Sequence, residues 1–196
     1  MSMTILDGTG SGNKARVDKR NKLRVAGIFE DEAIFSASNG DAYNINTGYF
    51  SVTADATLGY IKNNDDRIMV VDAIAVGAKG GATYSDSPFL TVVRNPTNGD
   101  LITDETPVAQ NGNRNFGSNN EFNGNAFRGK TGGTITGGDN VATLQLSTPP
   151  TRNFFTIDFF LPKGSSIGVS LTAPITGGTA EYYLAFIVHF LDVDAF

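Results

Sequence analysis

The sequence predicts an all-β protein, a jelly-roll-like β-sandwich of about eight strands with an N-terminal arm and hairpin. Charged residues make up only 18% of the 196 residues, and Gly, Asn, Thr and Ser are abundant in their place. The 23 Gly residues favour tight turns, because Gly and Asn tolerate the positive φ that hairpin turns require. From residue 41 onward, apolar and polar side chains alternate in short segments. These three observations together are typical of a sandwich or jelly roll.

The first 27 residues are predicted to form a basic arm and hairpin, in front of a body that spans residues 28–196. Gly8, Gly10 and Gly12 argue against regular structure in the first dozen residues. Val17 and Leu23 then flank a polar Asp-Lys-Arg-Asn turn, which suggests a small charged hairpin. A solvated charged ribbon is the alternative for the same residues.

The strands of the body are predicted from their side-chain patterns. In "NVATLQL", Ala142 and Leu144 should face inward while Thr143 and Gln145 face outward. "RIMVVDAIAVG" is almost continuously apolar, so we expect a central strand that is covered on both faces. The remaining predicted strands lie in GYFSVTAD, TLGYIKNN, SPFLTVVR, RNFFTIDFFLP, SSIGVSLTAP and AEYYLAFIVHFL.

One segment, residues 110–140, does not fit the strand pattern. It is rich in Gly and Asn, with Phe116, Phe122 and Phe127 spaced through it. A loop of this length inside a compact domain is usually functional or contains unrecognised structure. We expect a long excursion that packs by its aromatic rings and contains one short strand near residues 126–130.

The phenylalanine-rich segment "FFTIDFFL" is predicted to be a strand with two different faces. Phe154 and Phe160 share one face with Thr156 and Asp158, and the core face is formed by Phe155, Ile157, Phe159 and Leu161. Two large rings beside polar residues predict a surface that another subunit covers. The alternative is that the 110–140 excursion covers them. On the last strand, Tyr183 and His189 are further candidates for subunit contact.

The residue types and their spacing give little support for a catalytic, cofactor or metal site. Cysteine is absent, and His189 is the single histidine, so a histidine-based triad or metal site has one candidate and no partners. "LPKGSSIG" places Lys163 before Gly164, the reverse of a phosphate-binding loop, and therefore predicts a hairpin turn. Aspartates are numerous, but their spacing predicts neither a carboxylate pair nor a calcium loop. We therefore expect no catalytic residues, cofactor or metal, and no enzymatic activity.

The charge is divided between a basic head and an acidic body. Residues 1–24 contain six basic and two acidic residues, a net charge of +4, whereas the remainder has 9 basic and 18 acidic residues, a net of −9. The acidic body makes nucleic acid an improbable partner. No segment approaches a membrane span, and the N-terminus does not resemble a signal peptide, so we expect no membrane partner and no Sec-type export. The basic residues of the head are Lys14, Arg16, Lys19, Arg20, Lys22 and Arg24.

The order of several phrases resembles small virion proteins of tailed phages, particularly phages of aquatic bacteria. These phrases are DGTGSGNKARVDKRNKLRV, GDAYNINTG, VVDAIAVG, TVVRNPTNG, NRNFGS and FFTIDFFLPKGSSIGV. The likeness runs from about residue 6 to 190 and leaves the C-terminal FLDVDAF outside it. It implies a particle component made in the host cytoplasm and located on the capsid surface, as a decoration (cement) protein or short head fibre built on a jelly roll. No binding residue is carried over from the family.

From the residues and the resemblance together, we expect a homotrimer that binds the major capsid protein of the shell. The six basic residues of the head are the predicted docking charges, because charge steers encounter while apolar contacts hold a complex together. One alternative is a tail or fibre component that recognises host-surface glycans through the 110–140 segment. A carbohydrate-active jelly roll with paired carboxylates is the other.

Overall fold

The structure is a computed structural model that describes residues 4–6, 14–17, 23–24, 32–103, 109–147 and 152–191. The chain forms two compact units, Met1–Asp31 and Glu32–Phe196. Of the helices in the described ranges, α1 (Glu32–Asn39) and α2 (Asp100–Thr103), neither has the length and apolar character that a membrane crossing requires.

The N-terminal unit contains a small antiparallel sheet of three strands. Its strands are β1 (Thr4–Leu6), β2 (Lys14–Val17) and β3 (Leu23–Arg24), in the order β1-β2-β3. The hairpin predicted around the Asp-Lys-Arg-Asn turn is confirmed by the pairing of Val17 with Leu23. The expectation that the first dozen residues lack regular structure is wrong for Thr4–Leu6, because this β-branched and aliphatic run precedes the glycines and pairs with β2.

The second unit contains two large antiparallel sheets. The first sheet has the order β10-β4-β16-β7-β13, with β5 paired to the other end of β16, and the second has the order β11-β6-β14-β9-β12. A separate two-stranded ribbon pairs β15 with β8. The strands are β4 (Ala42–Asn46), β5 (Phe50–Val52), β6 (Ala56–Asn63), β7 (Ile68–Gly80), β8 (Thr83–Tyr84), β9 (Phe89–Arg94), β10 (Gln110–Asn113), β11 (Gly124–Arg128), β12 (Asp139–Gln145), β13 (Asn153–Leu161), β14 (Ser166–Thr172), β15 (Ile175–Gly177) and β16 (Ala180–Leu191).

The connectivity of the eight principal strands is that of a jelly roll. Without the added strands at their edges, the two sheets read β4-β16-β7-β13 and β6-β14-β9-β12. In chain order, the strands alternate between the two sheets, except that two consecutive strands lie in the second sheet. The first sheet thus contains β4, β7, β13 and β16, and the second contains β6, β9, β12 and β14. This order is the double Greek key of an eight-stranded jelly roll. The predicted fold class is therefore confirmed.

The hydrophobic core lies between the two sheets and follows the predicted alternation. On β16, Leu184, Phe186 and Val188 face inward and are at most 1% exposed. On β12 and β13, the predicted inward residues pack against the same core while their neighbours are exposed. β7 lies between β16 and β13, as expected for its nearly continuous apolar run.

The 110–140 excursion is more regular than its composition predicts. It contributes two strands, because β10 extends the first sheet beside β4 and β11 extends the second sheet beside β6. Phe127 is 7% exposed and stacks on Tyr60 at a centroid distance of 6.0 Å. Phe122 packs edge-on to Tyr43, 5.5 Å away. Pairing with strands already in place gives order to Gly- and Asn-rich residues whose own β-propensity is low.

Candidate functional site

The side of the sandwich formed by β12 and β13 carries exposed apolar side chains. β13 is the last strand of the first sheet, and on its outer face Phe154 and Phe160 are 62% and 61% exposed. β12 is the last strand of the second sheet, and Val141 on it is 40% exposed. Large rings in water on an open sheet edge mark a surface suited to contact with another protein.

β13 is irregular in the middle of this edge. Its register against β7 shifts between Thr156 and Phe159, and Asp158 adopts a φ of 45°. Aspartate is one of the few non-glycine residues that tolerates this region. A bulge in an edge strand interrupts the even row of backbone donors and acceptors, and so disfavours indiscriminate strand pairing. This edge of the first sheet is therefore suited to side-chain contact more than to pairing with a strand of another chain.

A cavity of about 430 Å³ opens between the ends of the two edge strands. Its apolar wall includes Val141, Phe159, Phe160 and Ile167, and its polar wall includes Arg94, Asn95, Ser165 and Ser166. Arg94 forms an ion pair with Asp139 at the surface. The cavity combines an apolar interior with polar groups around it, which is the usual character of a binding pocket. We name the surface of β12, β13 and this cavity the open edge.

The phenylalanines of the excursion do not cover Phe154 and Phe160. Phe122 and Phe127 lie at the opposite side of the sandwich, beside β4 and β6. The alternative that the excursion shields these rings is thus not what the structure shows. In the described part of the chain, both rings stay exposed.

Tyr183 and His189 lie on the outer face of β16. Tyr183 is half-buried, with its ring edge-on to Tyr49 at 4.9 Å. The ring lies directly over Gly77, where an added Cβ would stand 2.3 Å from it. Glycine at that position permits this close approach of ring and backbone. Tyr183 is therefore fixed by intrachain packing while keeping part of its ring accessible.

His189 differs from the other predicted contact residues because it is only 4% exposed. Its Nδ1 lies 2.9 Å from Asp72 Oδ1. Across the strands, His189 pairs with Val70, which pairs in turn with Phe160. The imidazole is therefore close to the open edge but offers almost no surface to a partner.

The six basic residues predicted for docking belong to the N-terminal unit. Lys14 and Arg16 lie in β2 and Arg24 lies in β3, and Arg16 and Arg24 are Cα partners. Lys19, Arg20 and Lys22 lie outside the described residues.

The network around Arg67 was not predicted from the sequence. Arg67 Nη1 lies 2.8 Å from Asp41 Oδ1, and Arg67 Nε lies 3.0 Å from Asp65 Oδ1. Asn123 Nδ2 in the excursion donates to Asp65 Oδ2 at 3.3 Å. The guanidinium also lies 5.0 Å from the Phe190 ring centroid, within reach of a cation–π contact. The network ties the excursion to the jelly roll. No local pattern signals it, because Asp41, Asn123 and Phe190 are distant from Arg67 in sequence.

Three of the described carboxylates, Asp65, Asp66 and Asp72, are each held by a basic side chain. The hydrogen bonds from Arg67 lower the pKa of Asp65 to about 2. An Asp65 carboxylate held ionised in this way cannot act as a general acid near neutral pH. Asp66 is bound by Lys163, and Asp72 by His189. Within the described ranges, no group of three potential ligands is placed to hold a metal ion.

The Lys163–Gly164 segment is the predicted turn. β13 ends at Leu161 and β14 begins at Ser166, with Gly164 at a φ of 83° between them. The Ser165 amide donates to the Pro162 carbonyl at 2.9 Å, which closes the turn. The strand β14 follows Gly164 at the point where a phosphate-binding loop would begin its helix.

Phe116 is an exposed ring that the sequence did not single out as a contact residue. Its side chain is 99% exposed. The surrounding turn is well braced, because the Asn115 side chain accepts from the Gly117 amide at 3.0 Å and donates to the Ser38 carbonyl at 2.8 Å. An exposed ring on an anchored turn can contact a partner without loss of loop freedom.

Comparison with known proteins gives no family assignment. No family model matches the chain, and no curated protein matches it. Among solved structures, the chain is similar to one described as "Structure of a marine algae virus of the order Picornavirales", with 13% identity over 96% of this chain and 84% of that chain. The TM-score is 0.26, too low for the likeness to bear on fold or function.

Proposed function

We propose that the chain is a non-enzymatic virion structural protein, a capsid decoration (cement) protein that binds the outer shell and stabilises contacts between capsomers. It acts as a homotrimer, with the major capsid protein as its partner. The observation that carries this proposal is the open edge. A jelly-roll body leaves two exposed phenylalanines and a cavity with an apolar wall on one side, and exposed apolar side chains of this kind support contact with another protein.

The division of charge supports docking through the N-terminal unit. The basic residues of β2 and β3 lie in the unit Met1–Asp31, whereas residues 32–196 contain 9 basic and 16 acidic residues, a net charge of −7. A basic element is attracted by carboxylates on a shell surface, and this attraction raises the rate of encounter. Apolar contacts then hold the complex.

The experiment that tests the proposal uses shells that lack this chain. The full-length protein should bind them and raise their resistance to heat, whereas deletion of residues 1–27 should leave a folded oligomer that no longer binds. A variant with Lys14, Lys19 and Lys22 replaced by Glu should bind weakly, and the matched variant with Arg at the same positions should bind normally. Undiminished binding of the deletion variant would refute docking through the arm.

The host-glycan alternative places the receptor site in the 110–140 segment. Most of that segment contributes to the fold, because β10 and β11 pair with the outer strands of the two sheets. The rings of Phe122 and Phe127 pack against Tyr43 and Tyr60. Phe116 and its turn are its exposed apolar feature among the described residues. Cryo-electron microscopy of the particle distinguishes the two functions. Density on the icosahedral shell supports a decoration protein, and density confined to the tail supports glycan recognition.

A further inference from the structure

We propose that copies of this chain associate head to tail, with Phe116 of one copy inserted into the open-edge cavity of the next. The inference rests on the self-association included in the proposed function and specifies the contact that produces it. It concerns two features of one chain, an exposed ring and a cavity with an apolar wall that is large enough to hold it.

The ring and the cavity lie on opposite sides of the sandwich. The Phe116 turn follows β10, which is the outermost strand on one side of the first sheet, and the cavity lies beside β13, the outermost strand on the other. Four strand spacings separate β10 from β13, about 19 Å at ~4.8 Å per spacing. A copy therefore cannot fill its own cavity with its own Phe116. A Phe116 ring that fills the cavity must therefore come from a second copy.

The two features also lie at the same end of the sheet. The Arg114 amide donates to the Ala42 carbonyl at 2.8 Å, next to the Phe116 turn. Across the sheet, Ala42 pairs with His189, His189 with Val70, and Val70 with Phe160 in the cavity wall. A single row across the strands thus connects the base of the turn to the cavity. Neighbouring copies can stand side by side at the same height, without a shift along the strands.

The cavity is large enough for the ring. Its volume is about 430 Å³, and an apolar protein cavity of about 150 Å³ already holds benzene. Phe159, Phe160 and Ile167 would surround the incoming ring with apolar atoms. The predicted contact residue Phe160 thereby becomes part of the receiving site.

The symmetry of such a contact differs from that of an ordinary dimer. The two surfaces are different patches, so the interface is heterologous and each copy offers one ring and one cavity. The rotation between neighbouring copies decides whether this contact closes into a ring of three, as the proposed homotrimer requires, or continues as an open chain.

The test is sedimentation equilibrium of the full chain and two variants. Phe116→Ser removes the ring at a position that is 99% exposed, so the fold is unaffected. Val141→Arg blocks the cavity at a residue that is skipped in the register between β12 and β9. Each variant should weaken association by about 10- to 100-fold, the equivalent of leaving one phenylalanine unburied. Asn119→Ala, on the same exposed loop, is the matched control and should associate like the wild type.

Mixing the two variants makes the test specific for a head-to-tail contact. In an equimolar mixture, the Val141→Arg copy supplies an intact Phe116 and the Phe116→Ser copy supplies an intact cavity. One contact is restored, and the complex should stop at a heterodimer. Wild-type association of either variant, or a mixture that stays monomeric where the wild type is trimeric, would overturn the inference and leave the proposed function standing. A wild type that is monomeric at every concentration would overturn both the inference and the homotrimer. The binding of the chain to shells is a separate experiment and would still test the decoration function.

Disulfide trapping gives a second readout because the chain contains no cysteine. Gly117→Cys places a thiol beside Phe116, and Val141→Cys places one at the cavity. A mixture of the two single variants should form covalent dimers, and each alone should not. The control mixture of Val141→Cys with Ser51→Cys, an exposed position near the other end of β16, should remain monomeric on a non-reducing gel. Equal trapping in both mixtures would contradict the proposed contact.

Discussion

The ion-pair network around Arg67 makes the stability of the body depend on pH in a way that one substitution isolates. Asp65 receives the side-chain Nε and Nη2 of Arg67 at 3.0 and 3.2 Å, together with the Arg67 backbone amide at 3.0 Å. These bonds favour the charged carboxylate and lower its pKa from 3.8 to about 2. The folded state therefore binds the Asp65 proton more weakly than the unfolded state does.

The magnitude follows from the size of this shift. Each pKa unit is equivalent to about 1.4 kcal/mol, so a shift of nearly two units contributes about 2 kcal/mol to the free energy of unfolding. Because the folded pKa is lowered, this contribution is fully present above pH 3.8 and is lost as the pH falls toward 2. Asp65→Asn should therefore be less stable than the wild type by about 2 kcal/mol at pH 6, and the difference should shrink between pH 4 and pH 2.

Urea unfolding followed by far-ultraviolet circular dichroism measures this difference, since the chain has no tryptophan. The matched control is Asp66→Asn, the adjacent carboxylate. Asp66 pairs with Lys163 at the surface, where its side chain is 90% exposed, so the change in stability should stay within about 0.5 kcal/mol. A gap between wild type and Asp65→Asn that stays constant from pH 6 to pH 2 would contradict the assigned ion pair.

Three further predictions concern the body. Gly129→Ala should destabilise it by several kcal/mol in urea unfolding, because the new Cβ would lie 1.4 Å from the Thr57 carbonyl oxygen, whereas Gly81→Ala, which meets open space, should change little. Phe186→Ala should cost about 3 to 5 kcal/mol, since the ring is 1% exposed in the core, and a loss below 1 kcal/mol would contradict its position. Burial raises the pKa of Tyr182, so its phenol should stay neutral at the pH at which exposed tyrosines ionise. In an ultraviolet titration, the absorbance change from the exposed tyrosines should therefore be the same for the wild type and for Tyr182→Phe.

The accuracy of the sequence predictions depended on whether a segment is governed by local pattern. On β13 the alternation of Phe155, Ile157 and Phe159 with exposed neighbours was correct, because a strand between core and solvent must place side chains on both sides in turn. α1 was missed because eight residues give too short a periodic signal, and its contact with β16, where Ser36 Oγ donates to the Phe190 carbonyl, is long-range.

The candidate site divides in the same way. Alternation alone predicted that Phe154 and Phe160 lie on the outer face of their strand, and both are exposed. The 4% exposure of His189 and its bond to Asp72 could not be predicted, because the two residues are 117 positions apart. Phe116 looked like one of three equivalent phenylalanines in the excursion. The fold buries Phe127 and packs Phe122 but leaves Phe116 on the surface.

By itself, the sequence determined that this protein is a β-sandwich, which strand faces form its core, and that its charge is divided between a basic head and an acidic body. Those properties follow from composition and period-two alternation, which act over a few residues. The tertiary structure alone decided which strands are neighbours, which strands end the sheets, and where a cavity opens between them. These depend on pairings between distant residues. The exposed ring and the cavity therefore became a matched pair only once the two sheets had been assembled.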